Sequence, residues 1–262
     1  MPHKPHVLIP LALVVIGTGS FVASIGFGFI SYPAKPSIRS FSRGRRLQRI
    51  KMTTRTPHND YDNYKGGDYK VFVGRGMVRF RSGLIAASIA DFDMAIALQP
   101  SLTPYMWQRG LSLYYANRFE EGAKQFRRDI AVNPNDTEEV IWALLCDAKT
   151  EGVGFEAARR QLLKDTTERR PYMRAAYSLF IGETKESELA KQMVESKASV
   201  NSDAKASAAY FYANLYLGLY SEAKGDDDLA RIYINAAVCS NYGKSGDYMY
   251  DVARIHKIVR GW

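Results

Sequence analysis

Four histidines and two cysteines are the residues of this 262-residue chain best suited to nucleophilic or metal chemistry, and their spacing limits what they can do. His3, His6 and His58 lie ahead of residue 59, and His256 stands alone near the end. A Ser-His-Asp or Cys-His relay needs a base beside its nucleophile, so this distribution gives it almost nothing to build on. Cys146 and Cys239 are far apart in the chain, each in a stretch of helical character. They read best as small buried apolar residues. A disulfide between them is the lesser reading, and a two-cysteine metal site without a nearby histidine is poorer still. Asp226, Asp227 and Asp228 could hold a cation. Three consecutive residues point in different directions, however, and carboxylates at a helix start complement its positive dipole end. Gly66-Gly67 and Gly74-Arg75-Gly76 lack the Lys-Ser/Thr of a phosphate loop. The chain is therefore expected to be a non-enzyme, with no cofactor and no metal site.

The elements around these residues repeat. Arg75 and Gly76 are matched by Arg109 and Gly110, Phe92 by Phe126, Ile96 by Ile130, and Pro100 by Pro134, all at one constant offset. That offset is the period of one helix–turn–helix unit of a repeat array. With units at 69–102 and 103–136, the glycine falls at position 8, where a side chain would hold two helices apart. The aromatic residue at position 24 fills the space between hairpins. The proline at position 32 ends the second helix, because it has no amide to donate. A third match starts at Phe211 and puts Gly218 at position 8, Gly225 at 15, Ala230 at 20 and Ala237 at 27.

Two divergent units fit between Asp136 and Phe211. Asp136-Thr-Glu-Glu139 is a capping-box arrangement that opens a helix carrying Val140, Ile141, Leu144 and Leu145. Gly152 and Gly154 turn the chain, and Phe155 to Leu163 returns it. Pro171 opens the next helix, Tyr172 to Ile181, and Glu186 to Val194 returns again. Asp247 to Val259 reads as a terminal helix that covers the last apolar face. The expected fold is all-α: a solenoid of about five hairpins plus a C-terminal capping helix over 69–262.

Arg109-Gly-Leu-Ser-Leu-Tyr-Tyr115, with Arg118-Phe119, Phe126, Ile130 and Pro134, resembles a tetratricopeptide repeat of the Arg-Gly subtype. The array over roughly 69–240 is also similar to the bacterial NlpI-type proteins, through Pro134-Asn-Asp136, Trp142-Ala-Leu144, Ala148-Lys149 and Phe211-Tyr212 to Leu217-Gly218. That resemblance implies a membrane-anchored dimeric adaptor that brings cell-wall hydrolases to a processing protease. Those proteins carry a lipid on an N-terminal cysteine, whereas no cysteine precedes Cys146 here. Lipid anchoring is therefore not implied.

Positions 2, 5, 9 and 12 of each first helix face the concave side of such arrays. In this chain they select Lys70, Val73, Met77 and Phe80, then Trp107, Leu111 and Tyr114, then Tyr212, Leu215 and Leu219. The lining is apolar and aromatic, and it suits an apolar or amphipathic segment of another protein. Most of the remaining aromatic residues read as packing between helices.

Charge is unevenly placed. Residues 1–59 hold nine Lys and Arg and no Asp or Glu, which is the whole excess of +9. Residues 60–262 carry 27 basic and 27 acidic side chains, so the basic total does not argue for nucleic acid. Residues 1–32 contain an uncharged stretch, Val7 to Tyr32, long enough to span a bilayer of roughly 30 Å. Residues 33–68 are a basic, acid-poor, transit-like segment and a linker. The leader resembles the two-part leaders of plastids derived from a eukaryotic endosymbiont. It fits equally an uncleaved anchor whose basic cluster, Arg39 to Arg55, keeps the array on the cytosolic side. The expected function is an adaptor that is delivered to or held at an organelle membrane, plastid favoured. It would bind other proteins through its concave groove and be able to self-associate through an apolar end. An RNA-binding helical repeat protein of organelle gene expression is the alternative, which a basic face would mark.

Overall fold

The computed structural model describes residues 67–161, 168–198 and 204–262, all within the compact unit from Arg55 to Trp262. Segment 1–32 and nearly all of 33–68 lie outside the described residues. Among the described residues every regular element is helical, and consecutive helices pack as adjacent pairs. α1 (Tyr69–Arg81) packs on α2 (Ile85–Leu98), and α3 (Trp107–Tyr115) on α4 (Phe119–Val132). α5 (Thr137–Lys149) packs on the short α6 (Phe155–Arg159), and α7 (Pro171–Ile181) on α8 (Glu186–Ala198). α9 (Ala204–Ala223) packs on α10 (Asp227–Val238), and α11 (Tyr248–Arg260) follows.

The same contact builds three of the pairs. A Cβ on Gly76 would stand 2.8 Å from the Phe92 ring, one on Gly110 2.7 Å from the Phe126 ring, and one on Gly218 2.8 Å from Ile234. Each partner follows its glycine at the same offset along the chain, so the sequence repeat is a repeat of physical contacts. Phe92, Phe126, Ile234 and Ala230 are closed to solvent. The turns repeat as well. Gly83 (φ 76°), Asn117 (φ 59°) and Gly225 (φ 86°) occupy the same place after the packing glycine and take the left-handed conformation. Asparagine is the residue other than glycine that best tolerates it. α2 and α4 end at Leu98 and Val132, ahead of Pro100 and Pro134, and Pro100 opens a 3-10 turn that runs to Tyr105. The paired arginines both reach acids on α2, Arg75 within its own hairpin and Arg109 in the preceding one. Arg75 binds Asp91 at 2.6 Å, and Arg109 binds Asp93 at 2.6 Å.

α9 is the hub. Every residue from Phe211 to Glu222 is buried, and the helix packs against α5, α7, α8 and α10. A helix apolar on all sides is stable only when surrounded. This burial accounts for the density of tyrosines there: Tyr216 and Tyr220 meet Phe180 edge-on, with centroids 6.2 and 5.3 Å apart. Cys146 is buried, as expected, but Cys239 is exposed at the end of α10. Asp226 caps α10 by accepting from the Leu229 amide at 3.0 Å, with Asp227 and Asp228 in the first turn.

α11 does more than cover the last pair. It packs on α10 and also reaches α1 and α3. Tyr248 stacks on Phe80 at 5.3 Å and meets Trp107 edge-on at 5.2 Å. The Arg254 guanidinium donates to the Arg81 carbonyl at 2.8 Å.

Candidate functional site

The ten groove positions named from register do not share one environment. Lys70 is exposed, and Val73, Met77 and Trp107 are half-buried. Phe80, Leu111, Tyr114, Tyr212, Leu215 and Leu219 are buried, five of them at 0–1% exposure. α11 supplies much of that cover. His256 lies under the Tyr115 ring with its Nδ1 3.2 Å from the tyrosine oxygen. Glu222, buried on α9, gathers Arg260 at 2.6 Å, Lys149 at 3.3 Å and the Tyr114 hydroxyl at 3.4 Å. Its carboxylate pins α3, α5 and α11 to the hub helix. Burial pushes the Glu222 carboxyl up, but His256, Arg260 and Lys149 hold it below the usual range. Burial lowers His256 to about 4, against the pull of Glu222.

Three of the ten, Trp107, Leu111 and Tyr212, line a cavity of about 210 Å³ that α11 does not fill. That size is below the range for drug-like ligands and suits one long side chain. Phe126, Trp142 and Met249 complete its apolar wall. The rest is acidic: Asp136, Glu138 and Glu139 from the start of α5, and Asp247 from the start of α11. The groove lining read from the sequence as apolar is thus closed over most of its area, and its remaining opening is rimmed by carboxylates.

Three of those carboxylates have structural work. Asp136 is the N-cap of α5 and accepts from the Glu138 amide at 3.0 Å. Asp247 is the N-cap of α11, accepting from the Met249 amide at 2.9 Å and from the hydroxyls of Tyr212 and Tyr242 at 2.8 and 2.5 Å. Glu138 pairs with Arg170 at 2.8 Å and accepts from the Tyr216 hydroxyl at 3.0 Å. Burial nevertheless raises Glu138 to about 7.

Glu139 is different. The capping box expected at Asp136–Glu139 is only half formed. The Asp136 amide donates to the Asn133 carbonyl at 3.2 Å instead of to Glu139. Glu139 is 8% exposed, and its Oε2 has no hydrogen-bond partner among the described residues. Burial, then the charges of Asp136, Asp129 and Glu138, raises its carboxyl to about 8. The Trp142 Nε1 on the same cavity is likewise buried without a partner among the described residues. Sequence reading saw α5's acids as a helix cap, because their convergence with Asp247 is tertiary: residues 139 and 247 meet only when α11 folds back.

Among the described residues no group of three or more His, Cys, Asp or Glu is placed to hold a metal ion, and no helix is long and apolar enough to cross a membrane. The uncharged stretch from Val7 to Tyr32 is outside that set. No known family model matches the chain.

Proposed function

We propose that this protein is a non-enzymatic interaction scaffold, a tetratricopeptide-type solenoid that seats a segment of another protein beside Trp107. The reading rests chiefly on the glycine-to-partner contact that recurs, at one constant offset, in α1–α2, α3–α4 and α9–α10. A fold made of one repeated hairpin presents surface instead of converging catalytic groups. The half-buried Trp107 and the cavity it lines are the part of the groove still open to a ligand. The acid-free leader supports delivery to, or retention at, an organelle membrane, from where the scaffold would recruit proteins for assembly or turnover.

The test is a crosslinking comparison in the native cell between the wild-type chain and Trp107→Ala. Tyr114 is unsuitable for this purpose, since it is closed to solvent and its loss would damage the core. The expected result is loss of a defined set of crosslinked proteins from a variant whose far-UV circular dichroism still shows the helical fold, with some fall in thermal stability because Trp107 packs edge-on against Tyr248. An unchanged set of partners would remove Trp107 from the binding surface. Binding of single-stranded RNA with a steep salt dependence would replace the scaffold reading altogether.

A further inference from the structure

We propose that the cavity at the mouth of the groove binds the cationic side chain, lysine or arginine, of the partner segment. This inference rests on the scaffold reading above and adds the chemistry of what is recognised. Four carboxylates, those of Asp136, Glu138, Glu139 and Asp247, surround a space sized for one side chain, between Trp107 and Tyr212. Acids in a first helical turn commonly do no more than complement the helix dipole. Three of these four have such work or a hydrogen-bonding duty of their own. Glu139 has neither. It is more than nine-tenths buried, its N3 position should carry it back to the Asp136 amide, and it does not go there.

A buried carboxylate oxygen without a donor is costly, and it is retained where something outside the fold satisfies it. The charges acting on Glu139 are those of Asp136, Asp129 and Glu138, all negative. The missing partner is therefore a cation. Trp107 and Tyr212 add aromatic surface, which attracts ammonium and guanidinium groups. The second orphan, the Trp142 indole N–H, is a donor and wants an acceptor. A free diamine offers none. A residue within a peptide offers a main-chain carbonyl beside its cationic side chain, and this favours a protein segment over a small amine.

Ligand entry also has a proton consequence. At neutral pH the Glu139 carboxyl carries its proton, because burial and like charges raise it to about 8. A cation beside it favours the ionised form, so binding releases a proton.

The experiment is calorimetric titration of the full-length chain with three blocked pentapeptides and with 1,4-diaminobutane. The peptides are Ala-Ala-Arg-Ala-Ala, its lysine counterpart, and its citrulline counterpart, in which the charge is replaced by a neutral group of similar shape. The expected result is binding of the arginine or lysine peptide at least about tenfold tighter than the citrulline peptide, equivalent to about 1.4 kcal/mol. The enthalpy should vary with buffer ionisation heat at pH 7, reporting the released proton. Glu139→Gln should weaken the cationic peptides by about tenfold and reduce the buffer dependence to the part that Glu138, raised to about 7 on the same cavity, contributes. That variant replaces an unpaired, protonated carboxyl with a neutral amide of the same shape, so its thermal stability should be close to wild type, and loss of binding is then not loss of fold. Trp142→Phe should weaken the peptides and leave any weak binding of the diamine unchanged.

Equal binding of citrulline and arginine peptides overturns the proposal, as does full binding by Glu139→Gln. Diaminobutane binding as tightly as the peptides overturns the peptide assignment in favour of a small-amine site. If no probe binds while the crosslinked partners still depend on Trp107, the scaffold reading stands and the cation site falls. If the partners are also independent of Trp107, both fall.

Discussion

Two glycines on first helices, Gly74 and Gly110, should respond in opposite directions to the same substitution. A Cβ at Gly110 would stand 2.7–2.9 Å from the Phe126 ring, which is 1% exposed and has nowhere to go. Overpacking of that kind costs about 1–3 kcal/mol, more than the roughly 1 kcal/mol that alanine gains over glycine in a helix. A Cβ at Gly74, within α1, would meet nothing within 4 Å. Gly110→Ala is therefore expected to lower the thermal midpoint and Gly74→Ala to raise it, each measured by the far-UV circular dichroism melt. A fall in both would mean that the glycines serve something other than close helix approach. At this scale the sequence was most informative. The shared spacing of Gly76 to Phe92 and of Gly110 to Phe126 is local, set within one hairpin, and needs no knowledge of the rest of the chain. Glu139 was not legible in the same way. Its residue type fits a capping box, and only the hydrogen bond of the Asp136 amide to Asn133 reveals that the box is open.

α11 is the element whose role exceeds what its sequence announced. Its amphipathic pattern marks a helix that covers an apolar face, and it does pack on α10. The pattern does not specify that Tyr248 and His256 on one stripe meet Phe80, Trp107 and Tyr115 from the first two hairpins. His256 makes that docking sensitive to pH. It is fully buried and faces Tyr115, Glu222, Trp262, Arg260 and Lys149, and its imidazole is lowered to about 4. The unfolded chain holds it near the ordinary value of about 6.5, so the unfolded state binds the proton first. This group's contribution is present above about pH 6.5 and is lost as pH falls to about 4, by roughly 3 kcal/mol. Asp129 and Glu138, raised to about 7, and Glu139, raised to about 8, act with the opposite sign over an overlapping range. The informative quantity is therefore the difference between wild type and His256→Gln in urea unfolding from pH 8 to 4. The variant should lack the acid-side loss that belongs to His256. Parallel profiles would show that His256 titrates alike in both states.

At the scale of the whole molecule, net charge separates the chain into a basic N-terminal segment and a neutral helical remainder. Residues 60–262 carry equal numbers of basic and acidic side chains, so attraction to an anionic surface belongs to residues 1–59. Full-length protein should float with vesicles containing anionic lipid in a density gradient, and a chain lacking residues 1–59 should not. Flotation of both would place the membrane contact on the array. The sequence by itself determined the helical class, the hairpins that recur at a fixed period, and the asymmetry of charge. Each of these is written in composition or in short-range periodicity, where one helix face or one turn dictates the residue type. The tertiary structure alone decided which of the residues expected to line a groove stay open. Phe80, Leu111, Tyr114 and Leu215 have the pattern of a lining, but long-range packing by α9 and α11 turns them into core. The same packing brings Asp247 to the start of α5 and leaves Glu139 buried without a partner among the described residues. Contacts between residues from opposite ends of the array leave no periodic trace in a single chain, so the acidic cavity appears only once the chain is folded.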